Sequence, residues 1–107
     1  MPLITIGFAE SAVADLEDIK RWYREQDVPE GGERVIVKIF ERLETLCDHQ
    51  GIGRLVPEFD QEFLRELIQP PFRIIYRREL KQIRVVRVWR SERPLLQFPN
   101  GEESIGG

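Results

Sequence analysis

The chain has 107 residues, the size of one domain, of which 41% are hydrophobic and 33% charged. This composition supports one modest core and excludes collagen-like, low-complexity and largely disordered chains. The formal net charge is −3. No apolar run approaches the ~20 residues of a membrane span, and no signal peptide is recognisable. Because the single cysteine, Cys47, has no partner for an intramolecular disulfide, we expect a cytoplasmic protein without membrane contact.

The net charge conceals two segments of opposite sign. Residues 1–69 contain eight basic and fifteen acidic residues, whereas residues 70–95 contain eight basic and two acidic ones. The first segment therefore has a charge of −7 and the second a charge of +6. Such asymmetry is typical of a chain whose basic part meets a partner.

The chain is predicted to begin with a strand and two helices. Residues 3–6 are rich in β-branched side chains, which favours a strand. From about Ala9, apolar residues recur with helical spacing. Breakers at Pro29, Gly31 and Gly32 predict a turn over residues 27–32. A second apolar stripe predicts a helix from about Glu33 to residues 49–51, so the two helices should form an antiparallel hairpin.

Three strands are predicted in the second half of the chain. Residues 53–58 indicate an ordered loop, and strands follow at Leu64–Ile68, Phe72–Arg77 and Ile83–Trp89, the last two as a hairpin. Strict alternation along these strands would place Arg73 with Arg77, and Arg84 with Arg90, on shared faces. The predicted class is α+β, with a helical hairpin packed on a small antiparallel sheet in the order β-α-α-β-β-β. We expect residues 1–98 to form a single domain and residues 99–107 a flexible polar tail.

The motifs of several enzyme classes are missing from the sequence. It contains no glycine-rich phosphate loop, zinc-spaced Cys/His set or serine-nucleophile elbow, so we expect neither metal nor cofactor. Cys47 and Trp89 are predicted to be core residues and His49 to be solvated. Trp22 lies off the apolar stripe of its helix and is a candidate for contact with another chain. Glu58 follows a proline in the predicted loop and is interpretable as a cap, a partner of Arg54 or a catalytic carboxylate.

The arginines of the predicted strands are the most informative side chains. Guanidinium groups present forked donors that suit phosphate or carboxylate. The arginines could therefore form a binding surface, or they could pair with acidic residues of the same chain. Composition alone does not separate these two interpretations.

Five segments of the sequence resemble the RelE/ParE family of toxins from type II toxin–antitoxin systems. They occur in the family's order over roughly residues 3–95: Ala14–Ile19, Gly53–Glu58, Leu64–Ile68, Phe72–Arg77 and Val86–Trp89. The resemblance implies a bacterial or archaeal toxin that arrests growth. It also implies a cognate antitoxin, acidic and partly disordered in its toxin-binding segment, with operator DNA bound only through that antitoxin.

The resemblance leaves open which target the toxin acts on. RelE-like members cleave mRNA in the ribosome without a metal, whereas ParE-like members inhibit DNA gyrase by protein–protein contact. The family's C-terminal His-x-x-Arg element is here Arg90-Ser91-Glu92-Arg93, and arginine is a poor general base. No tyrosine closes the chain, and its overall acidity disfavours binding to RNA. We therefore expect a ParE-like gyrase inhibitor, with an mRNA interferase as the alternative and an inactive, operon-regulating partner as a third possibility.

The resemblance and the basic segment together give three sets of candidate site residues. If the protein is a ribonuclease, the catalytic residues are Arg73, Arg90 and Arg93. The expected target-binding residues are Arg73, Arg77, Arg84, Arg90, Arg93 and Phe98. The expected antitoxin-binding residues are Leu16, Ile19, Trp22, Tyr23 and Arg87.

Overall fold

The predicted order of helices and strands is confirmed in the computed structural model, which describes residues 4–49, 52–59 and 61–90. The elements are β1 (Thr5–Phe8), α1 (Glu10–Glu25), α2 (Pro29–Asp48), β2 (Arg54–Leu55), β3 (Leu64–Gln69), β4 (Phe72–Arg78) and β5 (Gln82–Arg90). The two-residue strand β2 lies within the segment predicted to be an ordered loop. The predicted tail, Arg93 and Phe98 lie outside the described residues.

The five strands form one mixed sheet in the order β1-β5-β4-β3-β2. Strand β1 pairs parallel with β5, and the remaining neighbours are antiparallel. The predicted wholly antiparallel sheet is thus corrected at β1. The composition of residues 3–6 indicates a strand but carries no information about pairing direction, which depends on where the rest of the chain places β5.

Helix α2 begins at Pro29, earlier than the predicted start near Glu33. Proline is favourable in the first helical turn because its missing N–H has no intrahelical acceptor there. Gly31 and Gly32 lie inside this first turn against the Tyr23 ring, and a Cβ on either would stand 3.0–3.1 Å from that side chain. The glycines therefore allow the two helices to approach closely. The turn itself is shorter than predicted and includes Asp27, whose φ is 63°.

A β-bulge in β5 changes which arginines share a face of the sheet. The pairing moves from Ile75 opposite Arg87 to Tyr76 opposite Val85, which leaves Val86 as an extra residue. One inserted residue reverses the alternation of side chains beyond it. Arg84 therefore lies on the outer face, away from the helices, and Arg90 lies on the helix face. The prediction that these two arginines share a face is wrong.

Apolar side chains form clusters on both faces of the sheet. The larger cluster lies between the helices and the sheet and includes Ile39, Leu43, Ile74 and Val85. A smaller cluster on the outer face consists of Val56, Leu64, Ile75 and Val86, with Phe59 and Trp89 packed against it. Trp89 is thus a partly buried member of the second cluster, Cys47 is half-buried, and His49 is exposed, as predicted for the histidine.

Candidate functional site: a groove between the first helix and the last strand

A groove of about 550 Å³ opens where α1 passes the end of β5. We call it the α1–β5 groove; it is lined by Asp15, Asp18, Ile19, Trp22, Tyr23, Phe72, Arg87, Val88, Trp89 and Arg90. Strand β1 pairs with β5 only as far as Val85, so no strand of the described chain flanks β5 along the groove. The groove therefore arises because the first strand is shorter than the last.

Side chains of α1 take the place of the missing strand along this part of β5. The Ser11 hydroxyl donates to the carbonyl oxygen of Val86 at 2.7 Å. The Val88 N–H donates to Asp15 Oδ2 at 2.8 Å, and the Arg87 guanidinium donates to both oxygens of the same carboxylate at 2.8 and 2.9 Å. Asp15 thus satisfies a backbone group of an open edge and fixes Arg87 at the groove wall.

Burial raises the pKa of the Asp15 carboxyl above its ordinary value, whereas the hydrogen bonds from Arg87 and from the Val88 N–H act in the opposite direction. The bidentate contact with Arg87 is the arrangement that suits an arginine–carboxylate pair best. The Arg87 guanidinium also lies 4.3 Å from the centre of the Trp89 ring. The position of Arg87 at this wall of the groove is therefore stabilised by the ion pair with Asp15 and by the cation–π contact with Trp89.

Trp22 forms the exposed aromatic rim of the groove. Its side chain is 47% exposed, and its ring meets Tyr23 edge-to-face with centroids 5.0 Å apart. The Arg90 guanidinium lies 5.7 Å from the ring centres of both Trp22 and Phe72. The predicted exposure of Trp22 is confirmed, and the groove combines apolar surface with charged groups of both signs.

A buried ionic network occupies the outer face of the sheet. Arg73 donates from Nε to Glu66 at 2.7 Å and from its two terminal nitrogens to the oxygens of Glu58 at 2.8 and 2.9 Å. Arg54 donates to the other oxygen of Glu66 at 2.7 Å. The Arg73 side chain is 7% exposed and that of Glu66 is 0% exposed. Glu58 therefore pairs with Arg73, and the Arg54 partner is Glu66, a residue that the sequence did not single out.

The network explains the electrostatics of Arg73, one of the three arginines expected to be catalytic if the protein is a ribonuclease. The hydrogen bonds that Arg73 donates to Glu58 raise the pKa of its guanidinium further above its ordinary value, although burial opposes this. All three of its nitrogens already contact carboxylates. Arg73 is consequently a cation enclosed within the fold.

A second buried polar group lies near the start of β2. The Tyr76 hydroxyl is buried and has no hydrogen-bond partner among the described residues, and burial raises the pKa of this phenol above its ordinary value. A Cβ at Gly53 would collide with the same hydroxyl and ring. Only glycine therefore fits over this tyrosine without rearrangement.

Burial likewise raises the pKa of the Cys47 thiol above its ordinary value.

The candidate antitoxin-binding and target-binding residues predicted from the sequence lie in different parts of the structure. Ile19, Trp22, Tyr23 and Arg87, four of the expected antitoxin-binding residues, line the α1–β5 groove, while Leu16 packs against the main core. Of the expected target-binding residues, Arg77 and Arg84 share the outer face, Arg73 is enclosed there, and Arg90 lies in the groove on the opposite face.

The residues missed by the sequence analysis are mostly acidic. Asp15 occupies the apolar stripe of α1, between Ala12 and Ile19, and Glu66 alternates with Leu64 and Ile68 on one face of β3. A carboxylate at a position whose spacing predicts burial is the signal that could have identified both, because buried carboxylates are normally paired.

Within residues 4–49, 52–59 and 61–90, no group of three His, Cys, Asp or Glu side chains is arranged to hold a metal ion. Neither helix there is long and apolar enough to span a bilayer.

Comparison with known proteins identifies the family. A family model described as the ParE toxin of the type II toxin–antitoxin system parDE matches residues 6–95. The chain belongs to the ParE toxin family. It is therefore a type II toxin–antitoxin toxin by family, and the resemblance to the RelE/ParE group stated from its sequence segments is confirmed.

Solved structures support the ParE assignment. The chromosomal ParDE toxin–antitoxin system from P. aeruginosa is 26% identical with a TM-score of 0.68, over 82% of this chain and 96% of that chain. The toxin–antitoxin complex RelBE2 from Mycobacterium tuberculosis is 17% identical with a TM-score of 0.60, over 85% of this chain and 95% of that chain, and shares its fold. Comparison with curated protein sequences gives no match.

Proposed function

We propose that this ParE-family protein arrests growth by binding and inhibiting DNA gyrase, without cleaving RNA, and that a cognate antitoxin neutralises it. The observation that carries this choice is the enclosure of Arg73. In the ribonuclease members that the sequence resembles, the arginine at this position acts on the RNA phosphate. Here its three nitrogens contact Glu58 and Glu66, so binding a phosphate would require breaking a buried ionic network.

The distribution of the other candidate catalytic arginines also favours a non-enzymatic mechanism. Arg90 lies opposite Phe72 on the helix face, whereas Arg73 lies opposite Trp89 on the outer face. Stabilisation of a transition-state phosphate requires groups that converge on one position. Arg73 and Arg90 do not meet this condition, because the sheet lies between them.

The α1–β5 groove is the proposed antitoxin site. An exposed tryptophan beside a partly buried tyrosine and two arginines has the composition of an interface anchor. Arg90, beside the Trp22 and Phe72 rings, suits a carboxylate of an acidic segment that folds on binding. Solved relatives are described as a ParDE system and a RelBE2 toxin–antitoxin complex, which supports a cognate antitoxin as the partner. Both interactions would take place in the bacterial or archaeal cytoplasm.

A supercoiling assay with purified gyrase tests the proposal. Folded toxin in excess should abolish supercoiling of relaxed plasmid, and stoichiometric antitoxin should restore it. Complete supercoiling at excess toxin would contradict gyrase inhibition. Translating ribosomes incubated with the toxin should leave the message intact, since the alternative predicts cleavage that Arg90→Ala abolishes. Normal growth on expression without antitoxin would instead indicate an inactive regulatory partner.

A further inference from the structure

Two arginines form a cationic pair on the outer face of the sheet, outside the α1–β5 groove. Arg77 of β4 and Arg84 of β5 stand directly opposite each other, and both are half-buried. Side chains in such positions have Cβ atoms roughly 4.5–5.5 Å apart, and like charges there repel each other. Among the residues that the structure describes, no carboxylate forms an ion pair with either arginine. An external anion that binds both arginines would therefore reduce this repulsion.

The contrast with the neighbouring arginines on the same two strands is informative. Arg73 and Arg87 are each held by carboxylates of the chain itself. Arg84 has Gly7 as its neighbour on β1, so no side chain from that strand covers it. The fold thus neutralises two strand arginines internally and leaves the Arg77–Arg84 pair accessible.

An exposed aromatic ring lies beside this cationic pair, and an exposed aliphatic side chain lies at the end of the same hairpin. The Phe63 ring centre is 5.2 Å from the Arg77 guanidinium, and Phe63 is 44% exposed. Leu80, in the turn between β4 and β5, is 91% exposed. Arginine next to exposed aromatic and aliphatic side chains is typical of the centre of a protein–protein interface.

We propose that Phe63, Arg77, Leu80 and Arg84, here called the hairpin surface, contact a carboxylate-bearing surface of the protein that the toxin inhibits. This inference rests on the proposed function, which names that protein as gyrase. A protein surface is favoured over nucleic acid because the chain carries a net charge of −3, which repels a phosphate backbone at long range. Leu80 would also gain little from a phosphate backbone.

The hairpin surface is separate from the groove assigned to the antitoxin. Arg84 precedes Arg87, the nearest groove residue on β5, by three positions, at most about 10 Å at 3.3 Å per residue, and none of the four hairpin-surface residues lines the groove. A partner seated in the groove therefore contacts different side chains. The inhibited protein, rather than the antitoxin, is the occupant that this separation favours.

The experiment compares Arg77→Gln/Arg84→Gln and Leu80→Ser with a charge-matched control, Arg34→Ala/Lys38→Ala, on the exposed side of α2. Each protein is titrated in the supercoiling assay, and its antitoxin affinity is measured by calorimetry. The glutamines keep most of the side-chain stem, and Leu80 has almost no packing to lose, so all variants should unfold like the wild type. We expect both test variants to need at least tenfold more protein for half-inhibition, with unchanged antitoxin affinity.

Each other outcome contradicts a defined part of the proposal. Wild-type protein that leaves supercoiling unaffected overturns the proposed function itself. Inhibition by the wild type that both test variants match overturns the hairpin surface alone. If the control variant loses as much gyrase inhibition as the arginine variant, the loss comes from the changed net charge and not from the hairpin surface. The arginine variant is also tested for self-association and for binding to labelled DNA. If it inhibits gyrase like the wild type but has lost antitoxin affinity, self-association or DNA binding, the surface belongs to that other partner.

Discussion

The guanidinium of Arg73 and the carboxylate of Glu66 form the most deeply buried ion pair described in the chain. Removing Glu66 leaves the buried Nε of Arg73 without its acceptor and Arg54 without its carboxylate, and weakening the compensation of a buried charge is costly. The outer-face network is for this reason a structural requirement of the sheet, whatever the toxin binds. Its importance can be measured separately from activity.

We predict that Glu66→Gln lowers the free energy of unfolding by about 3 kcal/mol, because Arg73 and Arg54 lose their shared countercharge. Urea denaturation monitored by tryptophan fluorescence measures this value. The control is Asp18→Asn, which breaks the Arg21 contact between side chains that are 63% and 56% exposed, and should cost less than about 1 kcal/mol. Equal effects of the two substitutions would contradict the structural role of the network.

Gly53 and Tyr76 provide a second prediction for individual residues. Gly53→Ala places a methyl group against the buried Tyr76 ring and hydroxyl and should cost about 2 kcal/mol through overpacking. Tyr76→Phe removes a hydroxyl that has no partner, so alone it should be neutral or slightly stabilising. In the double variant we expect partial recovery, measured by thermal unfolding. A double variant no more stable than Gly53→Ala would show that the hydroxyl is not the obstacle.

At the scale of elements, the contact between α1 and β5 determines the shape of the groove. The helix covers the edge that the short β1 leaves open, and it does so through Ser11 and Asp15. A helix that satisfies a strand edge also limits the addition of a further strand there. The groove consequently presents side chains rather than a free backbone edge along Val86 and Val88.

We expect Asp15→Ala to open this edge. The Val88 N–H loses its acceptor and Arg87 its carboxylate, which should destabilise the protein by about 2–3 kcal/mol. Amide hydrogen exchange at Val88 should become faster than in Ser11→Ala, where only a carbonyl oxygen loses its partner. Unchanged protection of Val88 in Asp15→Ala would contradict the capping role of α1.

Some helices and strands can be predicted from the sequence more accurately than others. Helix α1 is predictable because Ala12, Leu16, Ile19 and Tyr23 recur with the helical period over three turns. The start of α2 was placed too late, because Gly31 and Gly32 are helix breakers by propensity, and only the neighbouring Tyr23 explains their place inside the helix. The bulge at Val86 has no sequence signal, since Val86 is identical to the preceding Val85 and no glycine marks the position.

For the whole molecule, the two faces of the sheet have different roles in our proposals. The α1–β5 groove, where the helix meets the edge of the sheet, carries the proposed antitoxin site, and the outer face carries the ionic network and the hairpin surface. This arrangement permits substitutions that affect one interaction without the other. It also explains why a single basic segment in the sequence does not correspond to a single basic surface.

Trp22→Ala should weaken antitoxin binding by up to ~100-fold, because an exposed aromatic anchor at a groove rim is typical of a binding hot spot. Gyrase inhibition by the free toxin and the free energy of unfolding should stay close to the wild-type values. The matched control is Val13→Ala, which truncates another exposed apolar side chain of α1, 43% exposed and outside the groove lining. Equal antitoxin affinities of the two variants, measured by calorimetry, would contradict the assignment of the groove.

The sequence alone determined the α+β class, the order of the elements, the ParE-type family and the split between an acidic and a basic segment. These follow from local periodicity, composition and short motifs, each of which is encoded within a few neighbouring residues. The tertiary structure decided the parallel pairing of β1, the opposite faces of Arg84 and Arg90, and the enclosure of Arg73 by Glu58 and Glu66. Each of these depends on strand register and on contacts between residues distant in the sequence. An arginine side chain can face solvent, bind a partner or pair with a buried carboxylate, and only the fold determines which of these groups lies next to it.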